Sequence, residues 1–71
     1  MQGQEIEIRL NGETFQLPSG TTVAGLVRRL TLPEDRVAVE LDGRIVPRQD
    51  WPRQQIESGA AVEIVQLVGG G

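Results

Sequence analysis

Apolar and polar residues alternate near the start of the chain, on both sides of the dipeptide Asn11-Gly12. Such a dipeptide between two alternating runs is the strongest short-range signal for a two-residue type I′ hairpin. The turn sets the register, with Leu10 opposite Glu13 and Ile8 opposite Phe15. This register gathers the apolar side chains of both strands on one face, which another element must cover.

A helix is predicted over residues 23–30, after the strand is broken at residues 18–20. Either Thr21 or Thr22 can serve as its N-cap. Apolar residues recur at helical spacing and form a stripe that fits the buried face of the hairpin: Val23, Leu26, Val27 and Leu30. Gly25 lowers helix propensity, so we expect it to allow a close approach between helix and sheet.

A second hairpin is predicted where the alternating run "VAVEL" meets Asp42-Gly43 and continues into a short strand that ends at Pro47. The segment that follows is irregular, and its large apolar residues Trp51 and Ile56 are expected to anchor it on the core. After a turn, residues 61–68 form a nearly continuous apolar run, typical of an interior strand.

The order of these elements predicts an α+β fold with a mixed sheet of four to five strands and one main helix across one face. The last strand is the most apolar, so it should lie centrally beside the first. This layout is the β-grasp, or ubiquitin-like, fold. We expect residues 1–67 to form one β-grasp domain and residues 68–71 a flexible glycine tail.

Composition argues against an enzyme. The 71 residues include no cysteine and no histidine, which removes disulfides, thiolate ligands, cysteine nucleophiles and the usual general base. A chain this short also cannot enclose a large substrate pocket. We therefore expect no catalytic residue, no metal ligand and no bound cofactor.

Charge and hydropathy narrow the class of partner. The formal net charge is −3, so the basic excess needed for phosphate-backbone binding is missing and nucleic acid is not an expected partner. No apolar run has the length of a membrane span, and the first residues lack the features of an export signal. The expectation is a cytoplasmic protein that is monomeric when free and does not bind membranes.

The sequence ends on three glycines, Gly69, Gly70 and Gly71. One interpretation is a disordered tail, as at most termini. The other is a tail that presents its terminal carboxylate to another protein, because residues without a Cβ can thread a narrow channel and leave the carbonyl open to attack. The preceding strand would supply a rigid base, and we favour the second interpretation.

Several segments resemble the ThiS family, the sulfur carriers of thiamin biosynthesis. The resemblance spans nearly the whole chain and is carried by the Asn11-Gly12 hairpin, "TVAGLV", "VAVELDGRIVPRQDW" and "VEIVQLVGGG". The third segment is the most diagnostic, because "IVPR" followed two residues later by tryptophan is common in this family. The terminal glycine pair, in contrast, is common to all ubiquitin-like carriers.

The resemblance implies a carrier that is itself a substrate. A ThiF-like enzyme would use ATP and Mg²⁺ to adenylate the carboxylate of Gly71. Sulfur from a cysteine desulfurase would then replace AMP, and the resulting thiocarboxylate would donate sulfur to a ThiG-like thiazole synthase. Gly70, Gly69 and Val68 would form the narrow tail.

A docking surface is expected beside this tail. If Val62 and Ile64 face the core, strand alternation places Val65 and Leu67 on the uncovered face of the sheet. Exposed apolar residues next to a working group suggest a partner contact. Alternatively, the irregular segment or Trp51 covers them.

Three other functions stay open from the sequence. The small subunit of molybdopterin synthase and a carrier for tRNA thiolation would share the fold, the tail and the activation chemistry. A plain β-grasp interaction module would use its sheet face and not its tail. The segment from Ile45 to Trp51 favours thiamin biosynthesis.

Overall fold

A computed structural model of the chain describes residues 4–68, and its elements follow the predicted order. Short 3-10 helices at Glu34–Arg36 and Arg48–Asp50 lie in the connections. The regular elements are β1 (Glu5–Leu10), β2 (Glu13–Pro18), α1 (Val23–Arg29), β3 (Val37–Leu41), β4 (Arg44–Ile45) and β5 (Ala61–Gln66).

The five strands form one mixed sheet in the order β2-β1-β5-β3-β4. Strand β5 runs parallel to β1 and antiparallel to β3. The last strand is therefore central and adjacent to the first, as predicted. A central strand has neighbours on both edges, which gives the chain that follows it a firmly held base.

Both hairpins turn as the sequence predicts. In β1 and β2, Ile8 is opposite Phe15 and Leu10 is opposite Glu13. The φ angles are 51° at Asn11 and 84° at Gly12, the left-handed values that a type I′ turn needs at both positions. Strand β4 is shorter than predicted, since Val46 lies outside it. The Val46 N–H nevertheless donates to the Val39 carbonyl at 2.9 Å.

Helix α1 begins after Thr22, whose Oγ1 accepts a hydrogen bond from the Gly25 N–H at 3.1 Å. The predicted stripe packs on the sheet, with Val23, Leu26 and Val27 fully buried. The expectation for Gly25 was wrong. A Cβ there would meet Thr21 Cγ2 at 3.3 Å and Thr22 Oγ1 at 3.5 Å, so this position faces the N-cap and not the sheet.

Trp51 anchors the irregular segment, as predicted. Its side chain is 3% exposed, and Ile56 is equally buried. The indole Nε1–H donates to the Val46 carbonyl at 2.9 Å, which satisfies the polar edge of the ring inside the core. This bond joins Val46, the residue before Pro47, to Trp51 in the turn that follows. It gives a physical reason for the five-residue separation between Val46 and Trp51 in the sequence.

Candidate functional site

The predicted docking residues lie at the end of β5 and just beyond it. Val65 is 55% exposed, Leu67 is 52% exposed and Val68 is 94% exposed. The three predicted tail glycines, residues 69–71, lie outside the described residues. The structure thus shows the base of the tail.

Alternation along β5 explains the exposure. Val62 is buried and Ile64 is half-buried on the face that α1 covers, which turns Val65 and Leu67 to the other face. Trp51 is itself buried and does not cover them. Within residues 4–68, neither Trp51 nor the irregular segment shields these two side chains, and the predicted exposure is confirmed.

The sheet holds the chain as far as Leu67. Its N–H donates to the Arg36 carbonyl at 2.7 Å, one step beyond the β3–β5 ladder, which begins at the Val37–Gln66 pair. The Arg36 N–H points elsewhere, to the Pro33 carbonyl at 3.0 Å, because a 3-10 helix precedes β3. Strand β5 therefore ends at Gln66, slightly earlier than the sequence suggests.

The first hairpin turn holds one edge of β5. Strand β1 ends at Leu10, but the Asn11 N–H donates to the Val62 carbonyl at 2.8 Å. Asn11 Oδ1 then accepts from the Ile64 N–H, also at 2.8 Å. A side chain thus continues the hydrogen bonding of β5 beyond the end of its neighbouring strand.

The second hairpin turn holds the opposite edge. The Asp42 N–H donates to the Ala61 carbonyl at 2.7 Å, and Asp42 Oδ1 accepts from the Ala61 N–H at 2.9 Å. Sequence reasoning treated Asn11 and Asp42 as turn residues alone. The signal for this second role was the type of residue at each position. Glycine fits either turn position equally well, so an Asn or Asp with a short side-chain acceptor there indicates an additional hydrogen bond.

Replacing Asn11 with glycine should loosen this strand locally. Glycine keeps the left-handed backbone but removes the acceptor of the Ile64 N–H, a bond worth about 1 kcal/mol. We expect the Ile64 amide to exchange about five- to tenfold faster with deuterium, measured by NMR relative to the buried Leu26 amide of α1, which donates to the Thr22 carbonyl at 2.9 Å. Asn11→Asp keeps an acceptor and should retain protection. Equal acceleration at both amides would contradict the local role.

Comparison with known proteins settles the family. Residues 3–71 match the model of the ThiS family. The chain belongs to the ThiS family. It is 27% identical over 66 residues to the Escherichia coli sulfur carrier protein ThiS, covering 93% of this chain and 100% of that one. The family match supports a sulfur carrier of thiamin biosynthesis over the other carriers considered above.

A longer relative contains a similar segment. The chain is 33% identical over 66 residues to a thiazole synthase of Magnetococcus marinus, which covers 93% of this chain. It spans only 20% of the length of that relative. A ThiS-like segment can therefore form one part of a protein that is named for thiazole synthesis.

A solved structure confirms the fold. The ThiS protein of Geobacter metallireducens superposes with a TM-score of 0.81 at 26% identity, covering 93% of this chain and all of that one. The predicted α+β, ubiquitin-like β-grasp architecture is confirmed. In the described part of the chain, no helix is long and apolar enough to cross a membrane.

Proposed function

We propose that this chain carries sulfur for thiazole formation as a thiocarboxylate on Gly71, and that it acts as a protein substrate without catalytic side chains of its own. The observation that carries the proposal is the family match, which extends through the glycines to residue 71. The structure adds a physical basis, because β5 is central and, within residues 4–68, the last N–H that donates to the sheet is that of Leu67, just beyond β5.

The proposed chemistry starts with a carboxylate, which is a poor electrophile. Its oxygen attacks the α-phosphate of ATP and releases pyrophosphate, with Mg²⁺ held by the partner enzyme. A persulfide sulfur of the desulfurase pathway then attacks the acyl carbon and displaces AMP. A second thiol then attacks the outer sulfur of the resulting acyl disulfide, which forms a new disulfide and releases the thiocarboxylate. None of these steps needs a side chain of the carrier.

An extended tail would carry the reacting group away from the folded domain. Residues 68–71, if fully extended, span at most about 14 Å. Without Cβ atoms, the glycines fit a channel that would exclude other residues, and the acyl carbon stays open to attack from either side. The partner can therefore enclose the reacting group and keep water out while the carrier domain stays outside.

The proposed partners follow from these steps. A ThiF-like adenylating enzyme supplies ATP chemistry, a cysteine desulfurase supplies sulfur, and a ThiG-like thiazole synthase receives it. The relative from Magnetococcus marinus, a thiazole synthase with a ThiS-like segment, supports the link to the last of these. Because ATP and cysteine are cytoplasmic metabolites, we place the carrier in that compartment, as a monomer that meets each enzyme in turn.

The exposed residues Val65 and Leu67 are proposed to contact the adenylating enzyme beside the tail. Charged side chains there would have to be desolvated in the complex. For Val65→Asp combined with Leu67→Asp, we expect the KM for the carrier to rise about tenfold or more. Steady-state pyrophosphate release measures this value.

A matched control is available on the same face of the sheet. Thr14 and Gln16 are exposed on β2, the edge strand farthest from β3 and β4. Substituting both with aspartate adds the same charge and should leave KM unchanged. If the two double variants behave alike, the docking role of Val65 and Leu67 is wrong.

Intact-mass measurement tests the proposed function. The protein is incubated with ATP, Mg²⁺, the adenylating enzyme and desulfurase of its own organism, and cysteine. The expected result is a gain equal to one sulfur minus one oxygen. No gain, with a positive control carrier loaded in parallel by its own enzymes, would count against a sulfur carrier and favour an interaction module.

A further inference from the structure

Val68 is a valine whose residue type the fold does not explain. Its side chain is 94% exposed, which is more than any other large apolar side chain in the described part of the chain; Ile45 follows at 68%. An apolar side chain that stays in water gains almost no free energy of folding from burial. The presence of valine at this position therefore needs an explanation outside the core.

Val68 is also the first residue that the sheet does not hold. Gln66 is the last residue in the β3–β5 ladder, and the Leu67 N–H donates to the Arg36 carbonyl at 2.7 Å. Within residues 4–68, no backbone hydrogen bond involves Val68. The sheet thus fixes the chain up to the Leu67 nitrogen. Beyond it, the direction of the chain depends on backbone angles that only the residue types restrict.

The sequence changes at this point from a stiff residue to permissive ones. Val68 is branched at Cβ, which crowds the backbone and disfavours helical angles relative to extended ones. Three glycines follow, which have the widest choice of backbone angles of any residue. Residues 68–71 span at most about 14 Å, so a change of angle at Val68 displaces the terminal carboxylate more than the same change nearer the end. The restricted residue thus stands at the root, where direction matters most.

We propose that Val68 is a positioning residue, whose branched side chain keeps the root of the tail in extended backbone before the tail enters the adenylating enzyme. The proposal rests on the proposed carrier function and deepens it. Every residue that is fixed on binding loses backbone entropy. A residue that is already restricted in the free carrier removes part of this cost, which raises the affinity without a new contact. Val68 acts through the direction of the backbone and does not touch the reacting carboxylate.

Four substitutions of Val68 separate stiffness from apolar contact. Val68→Ile and Val68→Thr keep the branch, although threonine is polar; Val68→Leu is apolar but unbranched, and Val68→Gly removes both properties. For the carrier as substrate, we expect an unchanged KM in the first two, a rise of about two- to threefold in Val68→Leu and of about fivefold in Val68→Gly. The kcat should stay constant, because the ordering cost is the same in the bound complex and in the transition state. Steady-state pyrophosphate release measures both constants.

The free carrier supplies a readout that needs no enzyme. The NMR coupling between the amide and Hα protons of residue 68 reports its φ angle, and it should be larger in the wild type, Val68→Ile and Val68→Thr than in Val68→Leu. The urea midpoint should not change in any variant, because the side chain is almost fully exposed. Ile45→Leu is the matched control. Ile45 is also exposed and β-branched but lies on β4, so its loss of the branch should leave KM unchanged.

The outcomes separate this proposal from the function on which it rests. A KM that rises in Val68→Thr but not in Val68→Leu would show direct apolar contact and overturn the positioning role. Equal KM values in all four variants, equal couplings across the series, or a fall in kcat at constant KM would overturn it as well. In each of these cases, sulfur loading of the wild type still supports the carrier. Absence of loading in the wild type would refute the carrier function and the role of Val68 together.

Discussion

Adding one alanine after Gly71 is expected to abolish sulfur loading. The addition converts the carboxylate of Gly71 into an amide, which ATP does not adenylate. The new carboxylate lies about 3.6 Å farther along the chain and carries a Cβ. Displacing a reacting group by about 1 Å can cost about 100-fold in rate. Intact-mass spectra of the extended protein should therefore show no gain of sulfur under conditions that load the wild type completely.

A variant with one glycine added after Gly71 separates the effect of tail length from the effect of the added side chain. It lengthens the tail equally but leaves a bare terminal carboxylate, so slow loading is expected. The urea midpoint should be unchanged in both variants, because the last described backbone bond from this strand is made by Leu67. If the alanine-extended protein loads at the wild-type rate, Gly71 is not the residue that carries sulfur.

Replacing Trp51 with alanine is expected to unfold most of the protein. Removing a buried tryptophan side chain costs about 3–5 kcal/mol. The core of a domain of this size supplies only about 3–5 kcal/mol in total. The free energy of unfolding should therefore fall close to zero at 25 °C. Far-UV circular dichroism in urea is the suitable measurement, because the substitution removes the tryptophan fluorescence.

Trp51→Phe is the informative control. It keeps an aromatic ring in the core but removes the Nε1–H, which leaves the Val46 carbonyl without its donor. We expect a smaller loss, of about 1–3 kcal/mol, and a folded protein that still loads sulfur. An unchanged urea midpoint in Trp51→Ala would show that this side chain is not the anchor of the irregular segment.

Local periodicity predicted much of the fold. A two-residue turn at Asn11 and Gly12 fixes the whole register of β1 and β2, since every later pair follows from it. The helix was predictable for the same reason, because its cap and apolar stripe lie within one short segment. The exposure of Val65 also followed from alternation along a single strand.

Features that depend on distant parts of the chain were not predictable in this way. The position of Glu40 opposite Glu63 follows from the register between β3 and β5, two strands that no local turn joins. The bond from Ile64 to Asn11 joins residues 53 positions apart. The prediction that Gly25 allows a close approach to the sheet was wrong, because a Cβ at this position would lie against Thr21 and Thr22. Helix periodicity alone does not reveal this detail of side-chain packing.

The central claim is that the carboxyl group of Gly71 holds the sulfur, and one peptide tests it directly. All seven basic residues are arginines, and the last is Arg53, so trypsin releases residues 54–71 as a single C-terminal peptide. After loading, tandem mass spectrometry should place the exchange of oxygen for sulfur on the final glycine of this peptide. Sulfur found at any other residue, or a C-terminal peptide of unchanged mass, would contradict the account.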